Sequence, residues 1–339
     1  MLSLIDMDMK TDQRLDLLTD WVARSVEDDD VRAEPASVDA SFRRYFRFTT
    51  RPTTIGMDAP PPREDCRPFV AVAGYLEKMG LNSPRILAAD IERGFLLLTD
   101  LGDRQYLAEI KANPERAETL YQGALDALAV MQVEGAEYQQ NLPPYDEALL
   151  RVELSLFHDW LCETHLGLGF SEEEEGNWQA CCDMLVDCAL SQPKVFVHRD
   201  YHSRNLMVTE EGGPGILDFQ DAVEGPYTYD LVSLLKDCYV NWPRDFIEKR
   251  ASYFRSKAGL DAVTDQDFIR DVDLMGVQRH LKAAGIFARL LHRDGKPGYM
   301  KDVPRTLSYI VDIADWYPEL QFIGDFIENR VLPALEVSS

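Results

Sequence analysis

An α+β fold in two lobes is what this sequence predicts, with a small strand-bearing amino-terminal lobe ahead of a larger, mainly helical one. Three observations carry that prediction. Strand-like runs crowd residues 42–99, helical patterns dominate from about residue 103 onward, and short strands return at 195–217 inside the helical part. The expected boundary lies near Asp100–Asp103, giving lobes of 1–100 and 101–339. A chain of 339 residues is long enough for two domains or one two-lobed body.

In order, residues 12–26 place Leu15, Leu18, Val22 and Val26 at helical spacing and predict an opening amphipathic helix. Phe42–Phe48 and Thr53–Met57, rich in aromatic and β-branched residues, read as strands. Pro60-Pro61-Pro62 breaks the chain, and Arg63–Gly80 reads as a helix with Gly80 near its end. Ile86–Ala89 and the strongly apolar Phe95–Thr99 complete the first set of strands. Leu120, Ala124, Leu128 and Met131 then mark one helical stripe, and a long helix is expected over 146–166. The run Glu172–Glu175 reads as a solvated surface segment. Val195–Val197, Leu206–Thr209 and Gly215–Leu217 are the returning strands, followed by helices to the end.

Lys and Arg number 35 against 59 Asp and Glu, a formal charge of −24. Proteins that bind duplex DNA or anionic membranes gain affinity by neutralising phosphates with clustered cations. No nucleic-acid or membrane partner is therefore expected, and an anionic ligand needs a local basic patch or a metal to offset the field. No run approaches the roughly 20 apolar residues that span a bilayer. The opening MLSLIDMDMK carries Asp6 and Asp8 where a secretory leader would carry cations. Six scattered cysteines with no CxxC pair fit small core residues in a reducing, cytoplasmic setting.

The chemistry concentrates in residues 194–230. His198-x-Asp200 is followed five residues later by Asn205 and thirteen further on by Asp218, with apolar runs before His198 and Asp218. A side chain at a strand end is held by a rigid element yet faces a cleft, where phosphoryl transfer wants its carboxylates. A nucleoside triphosphate needs Mg²⁺ to offset its charge, and hard Mg²⁺ takes carboxylate and amide oxygens, which Asn205 and Asp218 supply. A separate carboxylate, Asp200, suits orienting the acceptor hydroxyl and taking its proton. His198 fits a loop-organising role. The bland alternative, surface acids and a turn-forming Asn, leaves the spacing and the flanking strands unexplained.

HRDYHSRN and LDFQD resemble the catalytic and metal-binding loops of the aminoglycoside phosphotransferase/choline kinase group, itself similar to protein kinases. The segments 39–48, 57–69, 93–107 and 278–296 narrow the resemblance to the anomeric N-acetylmuramate/N-acetylglucosamine kinases of bacterial cell-wall recycling. It spans roughly residues 12–330 and implies a bilobal protein-kinase-like fold, ATP as co-substrate, Mg²⁺, and N-acetylmuramate or N-acetylglucosamine as acceptor. Ser41 and the backbone around Phe42 would then form a phosphate-covering turn, with Arg43 or Arg44 adding charge. Strand alternation allows at most one of those two arginines to face the nucleotide. The adenine would meet backbone groups of Thr99 and Leu101.

The chain departs from the family pattern in a covering turn that is not glycine-rich and, more seriously, in the Lys–Glu pair that steers the phosphates. The strand expected to carry a phosphate-steering Lys ends Ile55-Gly56-Met57-Asp58, and no partner acid stands near Phe69. Asp230, opening an apolar helix, fits a buried acid bracing the catalytic loop or a helix N-terminal carboxylate. In the carboxyl-terminal helices, Arg279 and Lys282 share a helix face. Arg279 would reach the acceptor's lactyl carboxylate or a ring hydroxyl, with His202 or Arg204 approaching from the catalytic loop; the alternative pairs Arg279 and Lys282 with Asp271 and Asp273. Rival functions are an aminoglycoside, choline or other amino-alcohol kinase on the same scaffold, or an inactive interaction module.

Overall fold

The computed structural model describes residues 12–38, 42–210 and 213–338. Its first half runs α1 (Gln13–Val26), β1 (Ala33–Val38), β2 (Arg44–Phe48), β3 (Thr54–Asp58), α2 (Arg67–Lys78), β4 (Ile86–Asp90), β5 (Phe95–Thr99), α3 (Tyr106–Ala112), α4 (Ala117–Glu134) and α5 (Glu147–Leu156). There follow α6 (Glu172–Ser191), β6 (Lys194–Val197), β7 (Leu206–Met207), β8 (Gly215–Ile216), β9 (Val223–Pro226), α7 (Tyr229–Leu235), α8 (Arg244–Lys257), α9 (Asp265–Asp294), α10 (Val303–Ala314), α11 (Gln321–Phe326) and α12 (Leu332–Ser338). Two compact units emerge, one from the described residues through Arg104 with Met207–Asp221, the other from Gln105–Leu206 with Ala222 onward.

The first unit is an antiparallel sheet of order β1-β2-β3-β5-β4. Its edge strand β1 is absent from the sequence reading because Pro35 interrupts the pattern, and an edge position with a bulge is where a strand tolerates Pro. Asp12 caps α1 by accepting from the Leu15 N–H, and Leu18, Trp21 and Val22 pack with Phe46, Phe48, Phe95 and Leu97. Gly56 of β3 permits that contact, since a Cβ there would lie 2.5 Å from the Phe48 ring. The fully buried Asp58 ends β3 and accepts from Arg14 at 2.9 and 2.5 Å and from Arg44 at 3.1 and 2.5 Å.

In the second unit α9 is the axis, buried almost continuously from Val272 to Ala288 and packed against α5, α6, α7 and α10. Gly285 makes one of these contacts possible, because a Cβ there would lie 2.2–2.5 Å from the Leu156 carbonyl and the Phe157 nitrogen. The helix expected over 146–166 is α5 continued as a wider π-helical segment, Phe157–His165. The acidic run at 172–175 forms the first turn of α6 behind a Ser171–Glu174 capping box, where negative charge meets the positive helix end. All six cysteines are free, and among the described residues no helix is long and apolar enough to cross a membrane.

Candidate active site

In the second unit β6 delivers the chain to a loop that two acids hold from behind. Asp230, fully buried in the first turn of α7, accepts the N–H of His198 at 2.6 Å and of Arg199 at 3.0 Å. Asp237 accepts the Ser203 N–H at 3.0 Å and its hydroxyl at 2.5 Å. Of the two roles expected for Asp230, the structure has the brace. Arg199 sits at φ 77°, a strained region for a residue with a Cβ. Its guanidinium is anchored on Glu153 at 2.6 Å. His198 accepts the Asp200 N–H through Nδ1 at 3.2 Å, and Asn205 donates Nδ2 to the Asp200 carbonyl at 3.0 Å. The loop's shape thus depends on backbone donors, and Asp200 and Asn205 are locked together.

Around Asp200 lies a buried set of charges. Glu153 receives Lys282 at 2.7 Å and Gln278 at 3.3 Å, besides Arg199 and the Tyr145 hydroxyl. Lys282 also donates to the Tyr229 hydroxyl at 2.7 Å. Arg279 lies over the Tyr229 ring, donates to Ser233 Oγ, and reaches the Arg199 carbonyl at 3.4 Å. The alternative that pairs Arg279 and Lys282 with Asp271 and Asp273 is therefore wrong. Asp271 accepts from the Tyr227 hydroxyl, while Asp273 takes Lys236 at 2.8 Å and the Tyr317 hydroxyl. Residues 271 and 273 lie at least six positions from Arg279 and Lys282, beyond the three- and four-residue spacing at which helix side chains meet, so each pair meets different neighbours.

This setting sets the protonation states. Burial alone would raise the Asp200 carboxyl, but Lys282, His202, Arg279 and Arg199 outweigh it and leave it below the usual carboxylate range. Burial lowers His202 below its ordinary value, against the opposing pull of nearby Asp237 and Asp200. Asp230 goes the other way, pushed up to about 7 by burial although two backbone N–H groups and Arg279 favour its ionised form. Arg204, also on the loop, lies over the Tyr239 ring at 3.8 Å and near the Tyr299 ring at 5.4 Å. Glu153 and Asp237 escape the sequence reading, and Lys282 enters it only through the helix face it shares with Arg279. Glu153 does leave one signal, an acid in the apolar stripe Leu150, Leu154, Phe157.

The first unit holds the remaining expected residues. Asp218 follows β8 at φ 64° and accepts from Gln220 at 2.9 Å, with Arg43 at 3.5 Å. Arg44, the first residue of β2, goes instead to Asp58 and Asp12. Phe219 packs on Phe69 of α2 with centroids 4.6 Å apart. Phe42 is exposed, and its N–H donates to Glu64 at 3.0 Å. Ser41 lies outside the described residues. The Thr99 N–H donates to the Arg85 carbonyl at 3.0 Å, and its hydroxyl accepts the Arg85 N–H at 2.9 Å. A cavity of about 390 Å³ opens beside Leu101, lined also by Asn82, Asp103, Arg104, Thr209 and Glu210. Arg47 fixes its floor, gripping Asp100 at 2.6 and 2.9 Å and the Gly102 carbonyl at 2.9 Å.

Asn205, in the second unit, turns Nδ2 to the Asp200 carbonyl, and Asp218, in the first, is a carboxylate with Arg43 beside it. Amide and carboxylate oxygens are the donors a hard divalent metal takes. Among the described residues His158, Asp159 and Glu163, in the π-helical segment, are close enough together to offer ligands to one metal ion.

Residues 32–264 match the model of the phosphotransferase enzyme family. The N-acetylmuramate/N-acetylglucosamine kinase of Pseudomonas aeruginosa is 50% identical over 300 residues, covering 87% of this chain and 87% of that protein. That of Pseudomonas putida is 46% identical over 93% of this chain and 96% of its own length. Among solved structures, choline kinase from Streptococcus pneumoniae superposes with a TM-score of 0.60 at 13% identity, over 89% of this chain and 99% of that one. An aminoglycoside 2'-phosphotransferase in complex with GDP gives a TM-score of 0.59 at 14% identity, over 90% of this chain and 100% of that one. The fold is therefore the bilobal protein-kinase-like one that the sequence predicts.

Proposed function

The chain belongs to the phosphotransferase enzyme family, and from that premise we propose that it is an ATP-dependent sugar kinase. Its acceptor is the anomeric hydroxyl of N-acetylmuramate or N-acetylglucosamine, and its product the sugar 1-phosphate of peptidoglycan recycling. The observation that carries the reading is Asp200, a half-buried carboxylate kept ionised by Lys282, His202, Arg279 and Arg199 on a loop braced by Asp230 and Asp237.

Asp200 accepts the proton of the anomeric hydroxyl as that oxygen bonds to the γ-phosphorus and the bond to ADP breaks. A low-pKa carboxylate is a weak base, but an anomeric hydroxyl is more acidic than an ordinary alcohol, and alignment supplies the rest. Asn205 and Asp218 are the residues that would hold Mg²⁺, which when bound offsets phosphate charge. Arg43, beside Asp218, takes the part of the missing strand Lys, and the backbone at Thr99 and Leu101 the adenine. His202, Arg204 and Arg279 serve the sugar, Arg279 by holding the Arg199 carbonyl and hence the loop.

Cationic amino alcohols fit this site poorly, because cations rather than unpaired acids surround Asp200. The test is ATP consumption across a panel of sugars and amino alcohols, with the product identified by mass. A 1-phosphate of either N-acetyl sugar supports the reading, and turnover on amino alcohols alone defeats it. Asp200→Asn should keep ATP and sugar binding while lowering turnover roughly 10²–10⁴-fold; wild-type turnover would remove Asp200 as the base.

A further inference from the structure

Lys282, Arg279 and Arg199 attend Asp200 and are all committed inside the protein, unlike Arg204 four positions along the same loop. Arg199 is anchored on Glu153, Lys282 on Glu153 and the Tyr229 hydroxyl, and Arg279 on Ser233 and the Arg199 carbonyl. Arg204 differs. Among the described residues its guanidinium meets no carboxylate and no hydrogen-bond acceptor, in a chain where acids outnumber bases 59 to 35.

Arg204 is nonetheless held in place. Tyr239 lies 3.8 Å from it and Tyr299 5.4 Å. Phe287 supports both rings, at 6.2 Å from Tyr239 and in a stack with Tyr299 at 5.6 Å. Tyr239 in turn donates its N–H to Asp237 at 2.9 Å, the same acid that anchors Ser203 of the catalytic loop. Rings against the face of a guanidinium leave its in-plane N–H groups pointing outward, a fork that matches a carboxylate. Beside it His202, edge-on to Tyr239, carries a buried Nδ1 with no hydrogen-bond partner among the described residues.

We infer that Arg204, clamped by Tyr239 and Tyr299, is the specificity-determining residue that binds the acceptor's carboxylate, and so favours N-acetylmuramate over N-acetylglucosamine. The inference rests on the sugar-kinase reading and says which of its cations discriminates. Arg279, the other candidate, turns Nε to Ser233 on α7 and one terminal nitrogen to the Arg199 carbonyl.

The experiment measures kcat and KM on both sugars for the wild type, Arg204→Gln, Arg204→Lys and Tyr299→Leu. Arg204→Gln should raise the KM for N-acetylmuramate about tenfold or more relative to N-acetylglucosamine, the loss of one charge-assisted contact. Arg204→Lys keeps the charge and should recover part of the difference; Tyr299→Leu, which loosens the clamp, should fall between Gln and wild type. An equal change on both sugars in Arg204→Gln and Arg204→Lys overturns the inference, as does a wild type active on N-acetylglucosamine alone. A wild type that phosphorylates neither sugar brings down the function reading itself, a result distinguishable from these.

Discussion

Replacing Glu153 with Gln keeps the shape of the side chain and removes its charge, and the consequences follow from what surrounds it. The carboxylate is 3% exposed and accepts from Arg199 at 2.6 Å, Lys282 at 2.7 Å, Gln278 at 3.3 Å and the Tyr145 hydroxyl. Its pKa is held down by Lys282 and Arg199 against the opposing effect of burial. Without it, two buried cations lose their shared counterion, and breaking a buried pair from one side costs about 3–5 kcal/mol. In a unit of 150–250 residues each kcal/mol moves the midpoint by about 2–4 °C, so thermal unfolding should drop by roughly 6–20 °C. Glu153→Gln/Lys282→Met replaces charge on both sides and should be less destabilised than the sum of its single variants by about 1 kcal/mol or more. Urea unfolding at pH 7, with matched m-values, reads both numbers. A single variant within 0.5 kcal/mol of wild type, or strict additivity in the double variant, would refute the reasoning.

Lys282→Met removes the largest charge holding Asp200 down. Asp200 titrates below the ordinary carboxylate range, so its contribution is present above that range and lost as pH falls through its folded value. The acid limb of kcat should therefore move to higher pH in Lys282→Met, and an unmoved limb would exclude Lys282 from tuning the base. Asp218→Ala should weaken Mg²⁺-dependent nucleotide binding more than Asn205→Ala, since it removes a charged ligand; calorimetric titration with and without Mg²⁺ decides, and equal, metal-independent binding in both would reject the assignment. Gly285→Ala sets a methyl against the backbone of Leu156 and Phe157 on two sides and should cost about 3 kcal/mol or more, whereas Gly176→Ala, in open space on α6, should be neutral or stabilising. Denaturant midpoints for the pair test the α5–α9 contact.

The sequence carries the fold class because the periodicities separate cleanly: two-residue alternation before residue 100, helical spacing after it. Phe95–Thr99 and the α1 stripe stand out for that reason. Strands β1 and β9 do not, one containing Pro35 and the other, VEGP, having no alternation at all. The motif HRDx4N…D locates the loops but is silent on what braces them. Asp237 lies among ordinary helix-end residues, and Glu153 and Lys282 meet only in three dimensions, from α5 and α9. The phosphate-covering turn shows the limit of transfer by resemblance, since the Phe42 N–H expected for an anion is occupied by the Glu64 carboxylate. No spacing rule would reveal that contact across 22 residues.

Asp58 has a consequence for where this protein can be cut. The part of the chain that carries the family pattern begins at residue 32, after α1 has ended. Yet a fully buried carboxylate in β3 is neutralised from before that point, by Arg14, which also donates to the Arg93 carbonyl at 2.8 Å, while Asp12 secures Arg44 on the other side. Trimming to the family pattern would strip Asp58 of one of its two arginines and uncover Phe46, Phe48 and Phe95 together. The minimal folding unit is accordingly longer than the minimal recognisable one. For expression and for domain grafting, the opening helix travels with the sheet.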